Sequence, residues 1–173
     1  MSSIRFGVIT LSDKAAAGQR EDTSGPLIRR MLQEIPGATC VAATVLPDER
    51  HLLEGMLIHL AGIERCDLIV TTGGTGFAPR DVTPEATRAV IDREAPGLAE
   101  AMRAAGLVHT PLAMLSRGVC GLRGTTLIIN CSGSPKAARE QLEVVMPVLS
   151  HALTVACGKA FECGSLREAR VNA

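Results

Sequence analysis

Residues 67–81 read DLIVTTGGTGFAPRD. The first half, Leu68 to Thr72, is a short apolar run rich in β-branched residues, the pattern of a strand buried on both faces. The second half turns sharply. Gly73, Gly74 and Gly76 accept backbone angles closed to other residues. Their N–H groups, with those of Thr72 and Thr75, can line a concave nest that holds an anion such as phosphate. Arg80 adds a cation and Asp81 a carboxylate able to share a Mg²⁺ with phosphate oxygens. A bare strand exit with no ligand reads equally well from the spacing alone, because glycine-rich turns are common. The stretch is no Walker A loop, since no G-x-x-x-x-G-K-[ST] occurs. It is no dinucleotide fingerprint either, because Pro79 stands where a glycine is required.

Working outward, Ile4 to Leu11 reads as a strand that exits at Ser12-Asp13 into a polar loop reaching Glu21. Leu27, Ile28, Met31, Leu32 and Ile35 then recur at helical spacing, and Pro36-Gly37 ends that helix. Val41 to Leu46 is a second strand, closed by Pro47-Asp48. Leu52, Leu53, Met56, Leu57 and Leu60 stripe the next helix. Beyond the glycine turn, Thr83-Pro84-Glu85 starts a helix with Thr83 as its cap. A further helix is expected from about Leu98 to Ala105, stopping at Gly106. Met114–Leu122 and Thr125–Cys131 read as strands of a hairpin turning at Arg123-Gly124. Ser134-Pro135 opens a last helix, which Pro147 should kink or split.

Alternating strands and helices imply an α/β fold in three layers: a mostly parallel open sheet with helices on both faces. In such sheets the strand C-terminal ends share one rim, where ligands bind. Ser12-Asp13, Asp48 and the Gly73 turn all fall on that rim. The expected organisation is one α/β domain over residues 1–159 and a loosely held tail over 160–173.

Bulk properties remove several functions. With 173 residues, 46% of them hydrophobic, three Phe, no Tyr and no Trp, the core is aliphatic and stacking platforms for single-stranded nucleic acid are lacking. A formal net charge of zero is no polyanion footprint. No apolar run nears the ~18 residues of a membrane span, and the N-terminus lacks a signal-peptide pattern. The six cysteines form no C-x-x-C pair and sit mostly in apolar segments, as expected of reduced thiols in a cytoplasmic protein.

The candidate site residues follow from the rim. Two carboxylates, Asp48 and Asp81, beside an anionic ligand demand a divalent cation between them. Arg80 and Lys136 are cations suited to phosphate, although each reads as readily as a solvated surface charge. Ser116-Arg117 precedes a strand-like run, and Ser132-Gly133-Ser134-Pro135-Lys136 places a helix N-terminus where a second anion, or only a cap, would sit. No histidine stands in a base–nucleophile arrangement.

Thr72 to Thr87 as a whole resembles the signature of the MogA/MoaB family of molybdenum-cofactor biosynthesis. Ser12-Asp13, Asp22-Thr23-Ser24-Gly25-Pro26, Pro47-Asp48-Glu49, Glu94 to Leu98, Leu115 to Gly118 and Gly133 to Ala137 resemble the same family in the same order, from Ile4 to Gly158. Within the family the likeness leans to the molybdopterin adenylyltransferases, the MogA type. The resemblance implies Mg²⁺-dependent transfer of AMP from ATP to the phosphate of molybdopterin, with release of pyrophosphate. It implies a homotrimer and a downstream molybdate-inserting enzyme as partner. Asp48 and Asp81 would be the essential, metal-holding acids. Ser12, Asp13, Thr72 to Gly76, Arg80, Ser116, Gly133, Ser134 and Lys136 would bind substrate. A non-catalytic molybdopterin-binding or assembly protein of the MoaB kind is the alternative. One departure stands out: Cys131-Ser132 replaces the usual Leu-Pro or Met-Pro pair, which frees φ and restores an N–H.

Overall fold

A computed structural model describes residues 3–158; the expected tail at 160–173, with Cys163, lies outside the described residues. The elements in chain order are β1 (Ile4–Leu11), α1 (Asp13–Ala16), α2 (Ser24–Gln33), β2 (Ala38–Leu46), α3 (Arg50–Gly62), β3 (Leu68–Thr72), α4 (Thr83–Val90), β4 (Arg93–Glu94), α5 (Pro96–His109), a 3₁₀ turn (Pro111–Leu115), β5 (Cys120–Arg123), β6 (Thr126–Cys131) and α6 (Pro135–Ala156). The sheet runs β2-β1-β3-β6-β5-β4. β2, β1, β3 and β6 are parallel, and β5 and β4 extend the sheet as antiparallel edge strands.

Alternation along each central strand feeds two cores. Phe6 and Val8, Leu68 and Val70, and Leu127 and Ile129 face α2, α5 and α6. Ile9 and Leu11, Ile69, and Ile128 face α3 and α4. A strand with apolar side chains on both faces is stable only between two helical layers, which is why these segments are nearly continuously apolar.

After β1 the chain adds β2 on one side, then crosses back to place β3 on the other. The strand order thus reverses between β1 and β3, and a crevice opens beyond their C-terminal ends. Asn130 ties the deeper part of this region together. Its Nδ2 donates to Thr71 Oγ1 and Thr87 Oγ1 at 3.0 and 2.9 Å, while its Oδ1 accepts the Val119 N–H at 3.1 Å.

Several expectations differ from the structure. α5 runs through Gly106 to His109. Gly106 is buried because a Cβ there would lie 2.8 Å from Ala113 Cβ, so the glycine lets the 3₁₀ turn fold back on the helix rather than ending it. The segment expected as one strand from Met114 starts inside that turn, which Pro111 and the Thr110 hydroxyl, accepting the Leu112 N–H at 3.3 Å, hold together. Pro147 does not split α6. It lies on the exposed face of the helix. Thr83 is not a cap; it is the first residue of α4, and its hydroxyl goes elsewhere.

Candidate active site

The glycine turn is built by contacts that exclude side chains. Gly73 and Gly74 have φ of 98° and 62°, in the left-handed region. A Cβ on Gly73 would strike the Leu11 carbonyl, and one on Gly74 would strike Thr83 Oγ1. Thr83 latches the turn to α4: its hydroxyl donates to the Gly73 carbonyl at 2.9 Å and its N–H to the Gly74 carbonyl at 3.0 Å. On the far side Gly73 N–H donates to the Cys131 carbonyl at 3.2 Å. The ends of β1, β3 and β6 are therefore stacked side by side.

Two cavities open over this stack and share Gly73, Gly74, Asp81, Gly133 and Ser134. One, of about 500 Å³, extends to Ser12, Asp22, Ser24 and Asp48 and includes Thr72. The other, of about 420 Å³, extends past Thr75, Gly76 and Ser116 to Leu112, Leu115 and Gln141. Asp48 and Asp81 thus line one cavity together. Asp13, Arg80 and Lys136 line neither of them.

Asp13 is instead a support for Asp48, bound to it through both backbone N–H groups. Arg80 is committed to Asp13 and Glu49, with N–O distances of 2.8–3.0 Å, so it braces the rim where a free phosphate ligand was expected. Lys136 projects into solvent, 81% exposed, with Glu140 3.9 Å away.

Charge is uneven across the site. Burial raises the Asp48 carboxyl above the ordinary carboxylate range; the Asp13 N–H opposes this, and the Asp13 and Asp81 charges add to it. The Arg80 guanidinium holds Asp13 below that range. A cation would relieve the excess negative charge around Asp48 and Asp81. Among the described residues no three or more His, Cys, Asp or Glu cluster into a ligand cage. The pair suits Mg²⁺, which takes one or two carboxylates and completes its shell with phosphate and water.

Three residues beside the site, Asp22, Arg20 and Arg117, carried no assigned role in the sequence; the first two line the Asp48 cavity and Arg117 lines neither cavity. Asp22 accepts the Thr10 hydroxyl at 2.7 Å and the Ser24 and Gly25 N–H groups at 3.1 and 3.0 Å, fixing the start of α2 at the cavity wall. An aspartate two residues ahead of a helix start was the available signal. Arg20, in the polar loop, supplies a cation to the same wall. Arg117 clamps the far end of the glycine loop, donating to the carbonyls of Gly76 and Asp81 at 2.6 Å each and pairing with Glu85. Burial pushes the Glu85 carboxyl up, but the Arg117 bond and charge outweigh it and hold the group below its ordinary value.

Residues 7–151 match the family described as "Probable molybdopterin binding domain". The chain is 43% identical over 159 residues to the molybdopterin adenylyltransferase of Helicobacter pylori (strain J99), covering 91% of this chain and 90% of that protein. It is 43% identical over 153 residues to the molybdenum cofactor synthesis protein cinnamon of Drosophila melanogaster; the match takes in 88% of this chain but 26% of that longer protein. The crystal structure of the molybdopterin biosynthesis enzyme MoaB from Thermus thermophilus superposes with a TM-score of 0.85 at 53% identity, covering 92% of this chain and 99% of that one.

Proposed function

Because the chain belongs to the molybdopterin-binding domain family of molybdenum-cofactor biosynthesis, we propose that it is a molybdopterin adenylyltransferase. It moves AMP from ATP to the terminal phosphate of molybdopterin and releases pyrophosphate. The observation that carries this reading is the shared cavity: Asp48 and Asp81 face the same space as the Gly73–Gly74 turn, where two lobes meet. Two phosphate-bearing substrates, one in each lobe, bring their phosphates together over that turn.

The attacking oxygen is an anionic phosphate oxygen of molybdopterin. It forms a bond to the α-phosphorus of ATP as the bond to the bridging β-phosphate oxygen breaks, and pyrophosphate leaves. No proton need be removed, which suits a site without a histidine base. The chain's task is to hold the two phosphates in line and to offset their charge. Backbone N–H groups of Thr72 to Gly76 bind and orient phosphate oxygens. Ser12, Ser116, Gly133 and Ser134 border the substrates. Asp13 and Arg80 act from behind by fixing Asp48, and Lys136 contributes long-range positive charge. Mg²⁺ held by Asp48 and Asp81 would neutralise phosphate charge in the transition state.

The working assembly we propose is a homotrimer in the cytoplasm that passes its product to a molybdate-inserting enzyme. Val108, Leu112 and Met114, at 82, 67 and 64% exposure, offer apolar surface for another subunit. No helix among the described residues is long and apolar enough to cross a membrane. Light scattering tests the assembly.

The decisive test mixes purified protein with MgATP and molybdopterin and follows pyrophosphate. Release matched by adenylyl-molybdopterin supports the transferase. Molybdopterin binding without release gives the site to a non-catalytic assembly protein.

A further inference from the structure

β6 ends at Cys131, and three residues, Ser132-Gly133-Ser134, carry the chain into α6. Gly133 packs so closely on the glycine turn that a Cβ on it would lie 3.2 Å from Gly73 Cα. Ser134 lines both lobes of the cavity. This turn is thus the second wall of the place where the phosphates meet.

Ser132 is held at every polar atom. Its N–H donates to Gln141 Oε1 at 2.8 Å, and its Oγ accepts from Gln141 Nε2 at 2.9 Å. Its carbonyl accepts from Thr72 Oγ1 at 2.7 Å. Gln141 sits on α6 and is 4% exposed, next to the apolar Leu142 in sequence. Burying an amide is costly unless both its donor and its acceptor are used, and here both go to one residue. A leucine would satisfy packing alone. The amide reaches away from the apolar core to the floor of the cavity, whose second lobe Gln141 also lines.

We propose that Gln141 is a positioning residue for the transfer site: its side-chain amide clamps Ser132 and so fixes the Gly133–Ser134 wall against Gly73 and Gly74. The proposal rests on the transferase reading for its effect on rate, though the clamp itself does not. Proline at 132 would fix φ without an N–H. Serine leaves φ free and exposes a donor, and Gln141 takes up both tasks. Displacing a reacting group by about 1 Å can cost about a hundredfold in rate, so a loose wall is felt in turnover.

The test compares wild type, Gln141→Leu, Ser132→Pro and the double variant. We expect Gln141→Leu to lower kcat about tenfold or more while KM for MgATP changes less than about threefold. Its Ser132, Gly133 and Ser134 amides should exchange at least about tenfold faster with solvent. The double variant, which removes the orphaned N–H and restores a fixed φ, should regain most of the lost turnover. Wild-type turnover with unchanged amide exchange in Gln141→Leu overturns the clamp, as does a double variant no better than its parents. Should Gln141→Leu fail to fold, Gln141→Glu decides. A neutral carboxyl there reproduces the donor and acceptor, so its turnover relative to wild type must fall as pH rises and a charge appears beside the phosphates; a flat ratio overturns the proposal. If wild type itself releases no pyrophosphate, the transferase reading fails and the exchange measurement still judges the clamp.

Discussion

Asp13 and Asp48 hold each other reciprocally: the Asp13 N–H donates to Asp48 Oδ2 at 2.9 Å, and the Asp48 N–H donates to Asp13 Oδ1 at 3.0 Å. The two acids are not equivalent. Arg80 lies on Asp13 and neutralises it, whereas Asp48 faces the cavity and is stabilised only by the Asp13 N–H and the more distant Arg80 charge. Their pKa values are accordingly pushed apart, Asp13 down by Arg80 and Asp48 up by burial. The pair works as a bracket, one member neutralised so that the other can be held ready for a cation.

That asymmetry predicts opposite effects of the same substitution. A carboxyl whose folded pKa is raised costs the fold stability once ionised, and the cost vanishes as pH falls through that pKa. Asp48→Asn keeps an acceptor for the Asp13 N–H and removes the cost, so its Tm at pH 7 is no lower than wild type. Its pyrophosphate release should fall by about a hundredfold or more. Asp13 has a lowered pKa, so its contribution is present above the ordinary carboxyl range and is lost as pH falls through the folded value. Asp13→Asn should therefore unfold earlier than wild type at pH 7, with the gap narrowing as pH falls through the lowered Asp13 value. Thermal unfolding at both pH values checks the signs. A lower Tm for Asp48→Asn at pH 7 contradicts the assignment.

Asp81→Asn separates chemistry from structure at the other acid. Asp81 Oδ2 accepts the Ala78 N–H at 2.8 Å, a bond the asparagine carbonyl oxygen reproduces, and the Asp81 main-chain carbonyl keeps Arg117. The loop should stay in place and molybdopterin should still bind, while turnover drops by about a hundredfold or more. Calorimetry for binding and pyrophosphate release for turnover provide the two readings. Near-normal AMP transfer would remove Asp81 from the mechanism.

Arg117 offers a second route to the same loop. Among the described residues it alone ties the Gly76 and Asp81 carbonyls together, and it is itself oriented by Glu85. Arg117→Met keeps the aliphatic stem and loses all these bonds. We expect the loop amides from Gly76 to Asp81 to exchange faster and kcat/KM to fall about tenfold or more, since Asp81 is then poorly placed. Arg117→Lys should rescue little, because a single ammonium cannot span carbonyls that a planar fork reaches together. Steady-state kinetics on both variants distinguish geometry from charge.

How much of this was legible depends on the range of the forces involved. β1 and β3 match their expected bounds because burial on both faces leaves a dense apolar signature. The meeting of Asp48, Asp81 and Gly73 on one rim follows from parallel topology alone. Arg80 shows the limit: in sequence it is a cation beside a phosphate turn, and only the fold brings Asp13 and Glu49 within reach to claim it. Gly106 shows another, since a glycine that stops a helix and one that admits a neighbour look alike until Ala113 is placed. The Ser132–Gln141 clamp spans nine residues and two element types, so no local pattern announces it. Its trace was the missing proline at 132.

Two glycine substitutions test the latch beneath the site by contrast of sign. Gly55 lies on the exposed face of α3 with nothing near the position of an added Cβ, so Gly55→Ala should stabilise the protein by about 0.5–1 kcal/mol through lower backbone entropy in the unfolded chain. Gly74→Ala adds the same methyl at φ 62°, where an L-residue is strained by about 1–2 kcal/mol. That methyl also drives into Thr83 Oγ1 and sits 3.2 Å from Asp48 Oδ1. Relieving the clash means releasing the Thr83 hydroxyl from the Gly73 carbonyl, which loosens the turn that binds phosphate. Gly74→Ala should therefore lose both stability and transfer, with Tm and turnover falling together. Adding Thr83→Ser, which keeps the hydroxyl but loosens the side-chain rotation that β-branching restricts, should return part of each. An alanine at 74 with normal Tm would mean that the latch between Thr83 and the glycine turn is not what holds the site in shape.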